Sequence, residues 1–246
     1  MFKTLRVIGI LVFAGLVFTA CSSVEKNSST PEGAFAIAKE FEDGERFEEA
    51  IRRYNEIKNK FPYSSFATKA ELAVADAYYK QESFAESQVA YQMFKDLHPT
   101  HPQIDYVQFR IGMSYFKQLP STIDRDLTLA NDAILQLSEF LKKYPNSEYV
   151  KEASENRSAA IKMLAEKEEY IADFYFKREI YDSALIRYEG LYKNYGGLGF
   201  EEKALSRAAI CASKIDDKPK AKKLAEMLFN KYPDSKESAA VKKELK

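Results

Sequence analysis

The chain has 246 residues, 37 basic and 37 acidic side chains and two histidines, so it carries no formal net charge. That balance excludes the basic footprint of a nucleic-acid-binding protein, and two histidines leave little material for general acid–base work. Two cysteines exclude a disulfide framework, and high charge with only nine glycines fits an all-helical protein.

Residues 1–20 read as a signal peptide rather than as part of the fold. Lys3 and Arg6 give a positive start, 7–17 are apolar, and Phe18-Thr19-Ala20-Cys21 is a small-residue cleavage site ending in cysteine, the pattern of a bacterial lipoprotein signal. The apolar run is too short to span a bilayer. Cleavage makes Cys21 the first residue, with its sulfur lipidated; an ordinary signal cut nearby, leaving Cys21 free, is the alternative. It also removes Lys3 and Arg6 and no acid, leaving a net charge of about −2. Each buried methylene contributes about 0.8 kcal/mol, so several acyl chains hold such a protein on a membrane. Residues 21–30 are polar and low in complexity, the composition of a flexible lipidated tether.

A repeating unit then begins. In 31–63, Ile37, Ala38 and Phe41 sit at helical spacing, Asp43-Gly44 marks a turn, and Phe47, Ala50 and Tyr54 follow before Phe61-Pro62. The pattern predicts two antiparallel helices: Gly44 allows the turn, the alanines let the backbones approach, and the rings fill the remaining space. The unit returns in 68–100 (Val74, Ala75, Tyr78, Phe84, Ser87, Tyr91, Pro99) and in 105–146 (Ile111, Gly112, Tyr115, Ala133, Leu137, Phe140, Pro145). It returns again in 165–197 (Ile171, Ala172, Tyr175, Tyr181, Ala184, Tyr188) and in 203–235 (Ala208, Ala209, Ala221, Tyr232, Pro233). One such hairpin cannot bury its apolar face alone, whereas stacked copies can. These copies resemble the tetratricopeptide (TPR) family, so the expected fold is all-α: a TPR right-handed superhelix (α-solenoid) of about five helix pairs, occupying 31–246.

Between the second and third units, two prolines in His98-Pro99-Thr100-His101-Pro102 force a turn. His98 and His101 lack a third ligand for a metal, and a turn held by side-chain hydrogen bonds is the better reading. Residues 118–126 are an insertion, with Asp124 to Asp126 placed to cap the next helix. The stretch 149–164 either leads into the first helix of the fourth unit or merges with it. Gly196-Gly197-Leu198-Gly199 has no preceding strand and no following GK[ST], so it is not a phosphate loop. Cys211 reads as a small buried residue.

In this fold the first helix of each unit lines the inner surface. Counting from the packing positions, that lining is Phe35, Lys39 and Glu42, then Leu72, Asp76, Tyr79 and Lys80, then Tyr106, Phe109, Met113 and Phe116. The fourth unit offers a more charged lining: Glu166, Glu169, Asp173, Phe176 and Lys177. Exposed apolar patches mark partner sites, which makes Phe35, Leu72, Tyr79, Tyr106, Phe109 and Phe116 the candidate peptide-binding residues. No metal, no cofactor and no catalytic residue is expected.

Pro99-Thr100-His101-Pro102 followed by Ile104-Asp105-Tyr106-Val107 resembles the BamD family of outer-membrane assembly lipoproteins. Asp124-Arg125-Asp126, Lys143-Tyr144-Pro145-Asn146-Ser147-Glu148-Tyr149, Lys177-Arg178 and Arg187-Tyr188-Glu189-Gly190 extend the likeness over 31–235. The resemblance implies a non-catalytic scaffold of the β-barrel assembly machinery (BAM complex), lipid-anchored on the periplasmic face of the outer membrane. Ser22, rather than aspartate, after Cys21 agrees with that address. It further implies three kinds of partner: the POTRA region of BamA on the C-terminal repeats, other BAM lipoproteins, and unfolded outer-membrane β-barrel proteins on the N-terminal ones. Arg187, Asp173, Phe176 and Lys177 are the candidate partner contacts. A periplasmic TPR lipoprotein that scaffolds cell-wall enzymes stays open as the alternative. A wall hydrolase has neither G-x-S-x-G nor HExxH in its favour.

Overall fold

The computed structural model describes residues 27–245. Cys21, the expected signal peptide and most of the expected tether lie outside these residues. Every regular element described is an α-helix: α1 (Pro31–Asp43), α2 (Phe47–Lys60), α3 (Ser65–Lys80), α4 (Phe84–Leu97), α5 (Ile104–Lys117), α6 (Thr128–Lys143), α7 (Val150–Lys177), α8 (Tyr181–Asn194), α9 (Glu201–Lys214), α10 (Lys218–Lys231) and α11 (Lys236–Glu244). Each helix packs on the next, and the first helices of neighbouring pairs also touch, so antiparallel hairpins stack into a TPR α-solenoid closed by α11.

Small residues set the helix spacing. Ala38, Ala50, Ala75, Ala133, Ala172, Ala184 and Ala209 are all fully buried. At the corresponding place in α5 stands Gly112, where a Cβ would come within 2.6 Å of Leu137 Cδ2. The spaces beside them are filled by rings: Tyr54, Tyr91 and Tyr188 are completely enclosed.

The turn inside each pair differs from the expectation built on Gly44, which has φ −85° and needs no glycine. The left-handed residue is the next one, Glu45 (φ 57°), and Glu82 (62°), Glu179 (59°) and Asp216 (61°) repeat it in three further pairs. Each follows a helix whose end is closed by a six-residue backbone hydrogen bond: Arg46 N to Phe41 O, Ser83 N to Tyr78 O, Ile180 N to Tyr175 O and Asp217 N to Ala212 O. This is the Schellman closure, with an acidic residue where glycine is common.

In the third pair the insertion replaces that turn. Asp126 accepts from Thr128 N (3.0 Å) and from Thr128 Oγ1 (2.7 Å), opening α6 from one residue before the cap position. Lys167 Nζ of α7 donates to Arg125 O, which ties the loop to that helix. Residues 149–164 do not form a separate helix: α7 is a single rod of 28 residues, about 42 Å long. The turn between α4 and α5 is held by side chains. His98 Nε2 lies 2.5 Å from Glu71 Oε2, His101 Nδ1 accepts from Gln103 N (3.2 Å), and both imidazoles pack on Phe94.

Candidate peptide-binding face

The inner face of the N-terminal half is built around Asp76, the residue after the buried Ala75 of α3. Being one helical step from a packing residue, its carboxylate meets the second helix of its own pair and the first helix of the next. It accepts from Tyr91 Oη of α4 (2.5 Å) and from Tyr106 Oη of α5 (2.7 Å). One turn along α5, Arg110 spreads its guanidinium over aromatic rings, with Cζ 4.4 Å from the centroid of Tyr79, 5.0 Å from Tyr106 and 5.7 Å from Phe109. Its buried Nε has no hydrogen-bond partner among the described residues. Beside this cluster lies a cavity of about 360 Å³ lined by Phe35, Lys39, Glu42, Asp76, Lys80 and neighbours on α1, α3 and the turn before α5. Glu42 fixes its far wall by accepting from Tyr54 Oη (2.6 Å) and from Lys80 Nζ. A larger groove of about 550 Å³ lies over α2, α3 and α4, lined by Val74, Tyr78, Val89, Met93 and Leu97. It is the more apolar of the two and lacks the ring-covered cation.

The same arrangement recurs 97 residues later. Asp173 of α7 follows the buried Ala172 and accepts from Tyr188 Oη (2.5 Å), while Arg207 of α9 sits 4.3 Å above the ring of Phe176. Asp173, Phe176, Tyr181, Tyr188 and Arg207 thus stand where Asp76, Tyr79, Phe84, Tyr91 and Arg110 stand in the first half. One exchange changes the chemistry: Tyr106 is replaced by Lys203, whose Nζ reaches Asp173 Oδ2 at 2.8 Å and Glu169 Oε1 at 2.9 Å. Burial pushes the Asp76 carboxyl above its ordinary value despite the hydroxyls of Tyr91 and Tyr106. Burial acts the same way on Asp173, but there the hydrogen bonds from Lys203 and Tyr188 outweigh it and hold the carboxyl low. Burial and the Asp76 charge together push the Tyr106 phenol up to about 12. The N-terminal face is therefore aromatic with a carboxylate of weakened acidity, and the C-terminal one is ionic. Half-buried rings and fixed charges of this kind suit recognition of side chains.

The expected lining narrows in the structure. Phe35, Tyr79, Tyr106 and Phe116 are partly accessible. Leu72, Phe109 and Met113 are not, being 7 %, 1 % and 1 % exposed. Phe109 stacks on Tyr149 at 4.9 Å and meets Phe140 at 5.7 Å, because the next first helix closes over it. Of the partner candidates, Asp173 and Phe176 are engaged within the C-terminal cluster. Arg187 makes an ion pair with Glu168 of α7 (3.1 Å) with its side chain 43 % exposed, and Lys177 is exposed at the end of α7. Arg110, Lys203 and Arg207 are site-building residues that repeat counting by apolar positions passes over, and Tyr91 is counted there only as a packing residue. The 97-residue spacing of Asp, aromatic, Tyr and Arg was the signal available for them.

No described helix is long and apolar enough to cross a membrane. Among solved structures, the TPR2AB-domain:pHSP90-complex of yeast Sti1 is similar with a TM-score of 0.47 and 16 % identity, over 88 % of this chain and 83 % of that one. The outer membrane protein assembly factor BamD of Neisseria meningitidis serogroup B is 26 % identical over 241 residues, covering 91 % of this chain and 90 % of that protein. The BamD of Buchnera aphidicola subsp. Acyrthosiphon pisum is 31 % identical over 197 residues, covering 75 % and 79 % respectively. The family model YfiO, outer membrane lipoprotein, matches residues 28–226. With that match and relatives sharing most of its length, the chain belongs to the YfiO, or BamD, family of outer membrane lipoproteins.

Proposed function

We propose that this protein is an outer membrane protein assembly factor, the role its BamD relatives are named for, and that it acts by binding and not by catalysis. Its N-terminal inner face takes an unfolded β-barrel protein as an extended segment. The observation that carries this reading is the Arg110 cluster: a guanidinium 4.4 Å from the ring centroid of Tyr79 and 5.0 Å from that of Tyr106, beside a cavity lined by Phe35 with Lys39 and Lys80 on its wall. Alternating aromatic residues of a barrel's final strand fit such rings, and a carboxylate on the same segment fits the cations. The C-terminal repeats hold the POTRA region of BamA, with exposed Arg187 and Lys177 as the contacts, and other BAM lipoproteins complete the assembly. Cys21 carries the acyl chains that hold the chain on the periplasmic face of the outer membrane.

The test uses a fluorescently labelled synthetic peptide of a barrel protein's last strand, titrated with the purified chain. Tyr79→Ala and Phe116→Ala are each expected to weaken binding by about tenfold or more, the loss typical of a buried aromatic anchor. Helicity should be unchanged. Unaltered affinity in both variants refutes the groove, and failure of BamA to co-purify from membranes refutes the assembly role.

A further inference from the structure

Helix α7 belongs to two stacks at once, and it treats its two uncovered faces in opposite ways. Where one pair stacks on the next, a small residue of a second helix has its counterpart 27 residues later in the following first helix. Ser87 and Ser114 touch across such a junction, with their hydroxyl oxygens 3.1 Å apart. Ala50 and Ala77, Ala133 and Ala160, and Ala184 and Cys211 stand at the same spacing, all fully buried. The junction residue after α6 is thus Ala160, in the first half of α7. The second half of α7 starts a new stack with α8, through buried Ala165 and Ala172.

In α3, α5 and α9 the residue two places after the pairing residue is Ala77, Ser114 or Cys211, covered by the preceding second helix. In the second half of α7 it is Phe174, 44 % exposed, with Tyr170, 56 % exposed, one turn before it. Nothing covers this stripe from the preceding pair, because α6 has been used by Ala160. Elsewhere the chain makes such an uncovered face polar: Ser158, which is exposed, lies on the unpaired face of the first half of α7. Two aromatics on a free helix face break that rule.

We infer that the Tyr170–Phe174 stripe is the docking surface for an α-helix of a partner protein, which takes the place that a preceding second helix occupies in the other stacks. The occupant is a helix because α-helices cover the equivalent face of α3, α5 and α9. It presents small residues at three- or four-residue spacing, since the bulk on this side is already supplied by the rings. It carries acidic residues beside them, facing exposed Lys177 and the Arg178 guanidinium 4.4 Å above Phe174. This inference is independent of the peptide reading of the N-terminal face.

The experiment places a photo-crosslinking benzoylphenylalanine at 174, and separately at 158, in the full chain in its native membranes, and maps the products by mass spectrometry. A cross-link at 174 and none at 158, joined to a segment that is helical in its own protein and bears small residues at that spacing, is expected. With the probe moved to 170, Phe174→Glu should lower the yield about tenfold, at unchanged melting temperature and helicity, because Phe174 contributes little to the chain's own core. Tyr170→Ser, with the probe at 174, provides the second variant should Phe174→Glu fold poorly. No product at 174, a product with a strand or loop, or a product with a second copy of this chain overturns the inference.

Discussion

Tyr91→Phe is the sharpest probe of the Asp76 cluster, because it deletes one hydroxyl and leaves the packing in place. Tyr91 is fully buried, so the place of the lost hydroxyl stays closed to water, and Asp76 keeps its bond from Tyr106 at 2.7 Å. A hydrogen bond to a charged group contributes about 1.5–3 kcal/mol and one between neutral groups about 1 kcal/mol. The expected cost at neutral pH, where Asp76 is ionised, is therefore about 2 kcal/mol. The folded-state pKa of Asp76 lies above its ordinary value of 3.8. As pH falls through that raised pKa, the carboxyl is protonated in the folded protein and the hydroxyl becomes one neutral partner of another, so the cost of the substitution shrinks. The twin supplies the contrast. Tyr188→Phe removes the bond to Asp173, whose pKa is held below its ordinary value and which keeps Lys203 at 2.8 Å. Its cost persists to more acidic pH. Urea midpoints followed by circular dichroism at about pH 7 and at pH 3.8, the ordinary value that the two carboxyls straddle, measure both; midpoints are preferred because repeat arrays depart from two-state unfolding. A Tyr91→Phe cost that does not change with pH, or equal pH profiles for the two variants, refutes the assignment.

Glu82→Gly should stabilise the second pair by about 0.5–1 kcal/mol, because glycine adopts the left-handed turn without the Cβ penalty and gives back part of the gain in unfolded-chain entropy; thermal melting checks it. Gly112→Ala should cost about 1–3 kcal/mol through overpacking, since its Cβ would meet Leu137 Cδ2 at 2.6 Å and Leu137 N at 3.2 Å; calorimetry would show a lower melting temperature. Glu42 is driven upward by burial, but hydrogen bonds from Lys80 and Tyr54 win and hold its pKa below 4.5. Its stabilisation is present above that value and is lost as pH falls through the lowered folded pKa. Glu42→Gln should therefore be less stable at neutral pH, by about 1 kcal/mol after discounting a half-exposed Lys80, and should lose less on acidification in a pH-dependent melting series.

The helix pairs were legible because the packing code is local. Ala38, Ala75, Gly112, Ala172 and Ala209 recur at the same place in their helices, and each forces close approach to a ring-bearing partner helix. The turn chemistry was misread at Gly44, since the closing hydrogen bond defines the left-handed position and Glu45 occupies it without glycine's help. The inner face was legible only by side. Periodicity puts Phe35, Tyr79, Phe109 and Phe116 on one side of their helices, but Phe109 disappears beneath Tyr149 because of how closely the next first helix approaches.

By itself, the sequence determined the all-α repeat and the side of each helix turned inward, which are written in spacing along one chain segment, and the resemblance to BamD proteins, which is written in short local motifs. Only the tertiary structure decided which inner residues stay accessible and which are covered. It joined Asp76 to Tyr106 and Arg110, residues 30 and 34 positions away, and Asp173 to Lys203 and Arg207 at the same separations. It also gave α7 its double role, with one half closing a stack and the other opening the next behind an uncovered Tyr170 and Phe174. Exposure and pKa depend on what neighbouring turns of the solenoid bring within a few ångströms, and no periodicity within one helix contains that information.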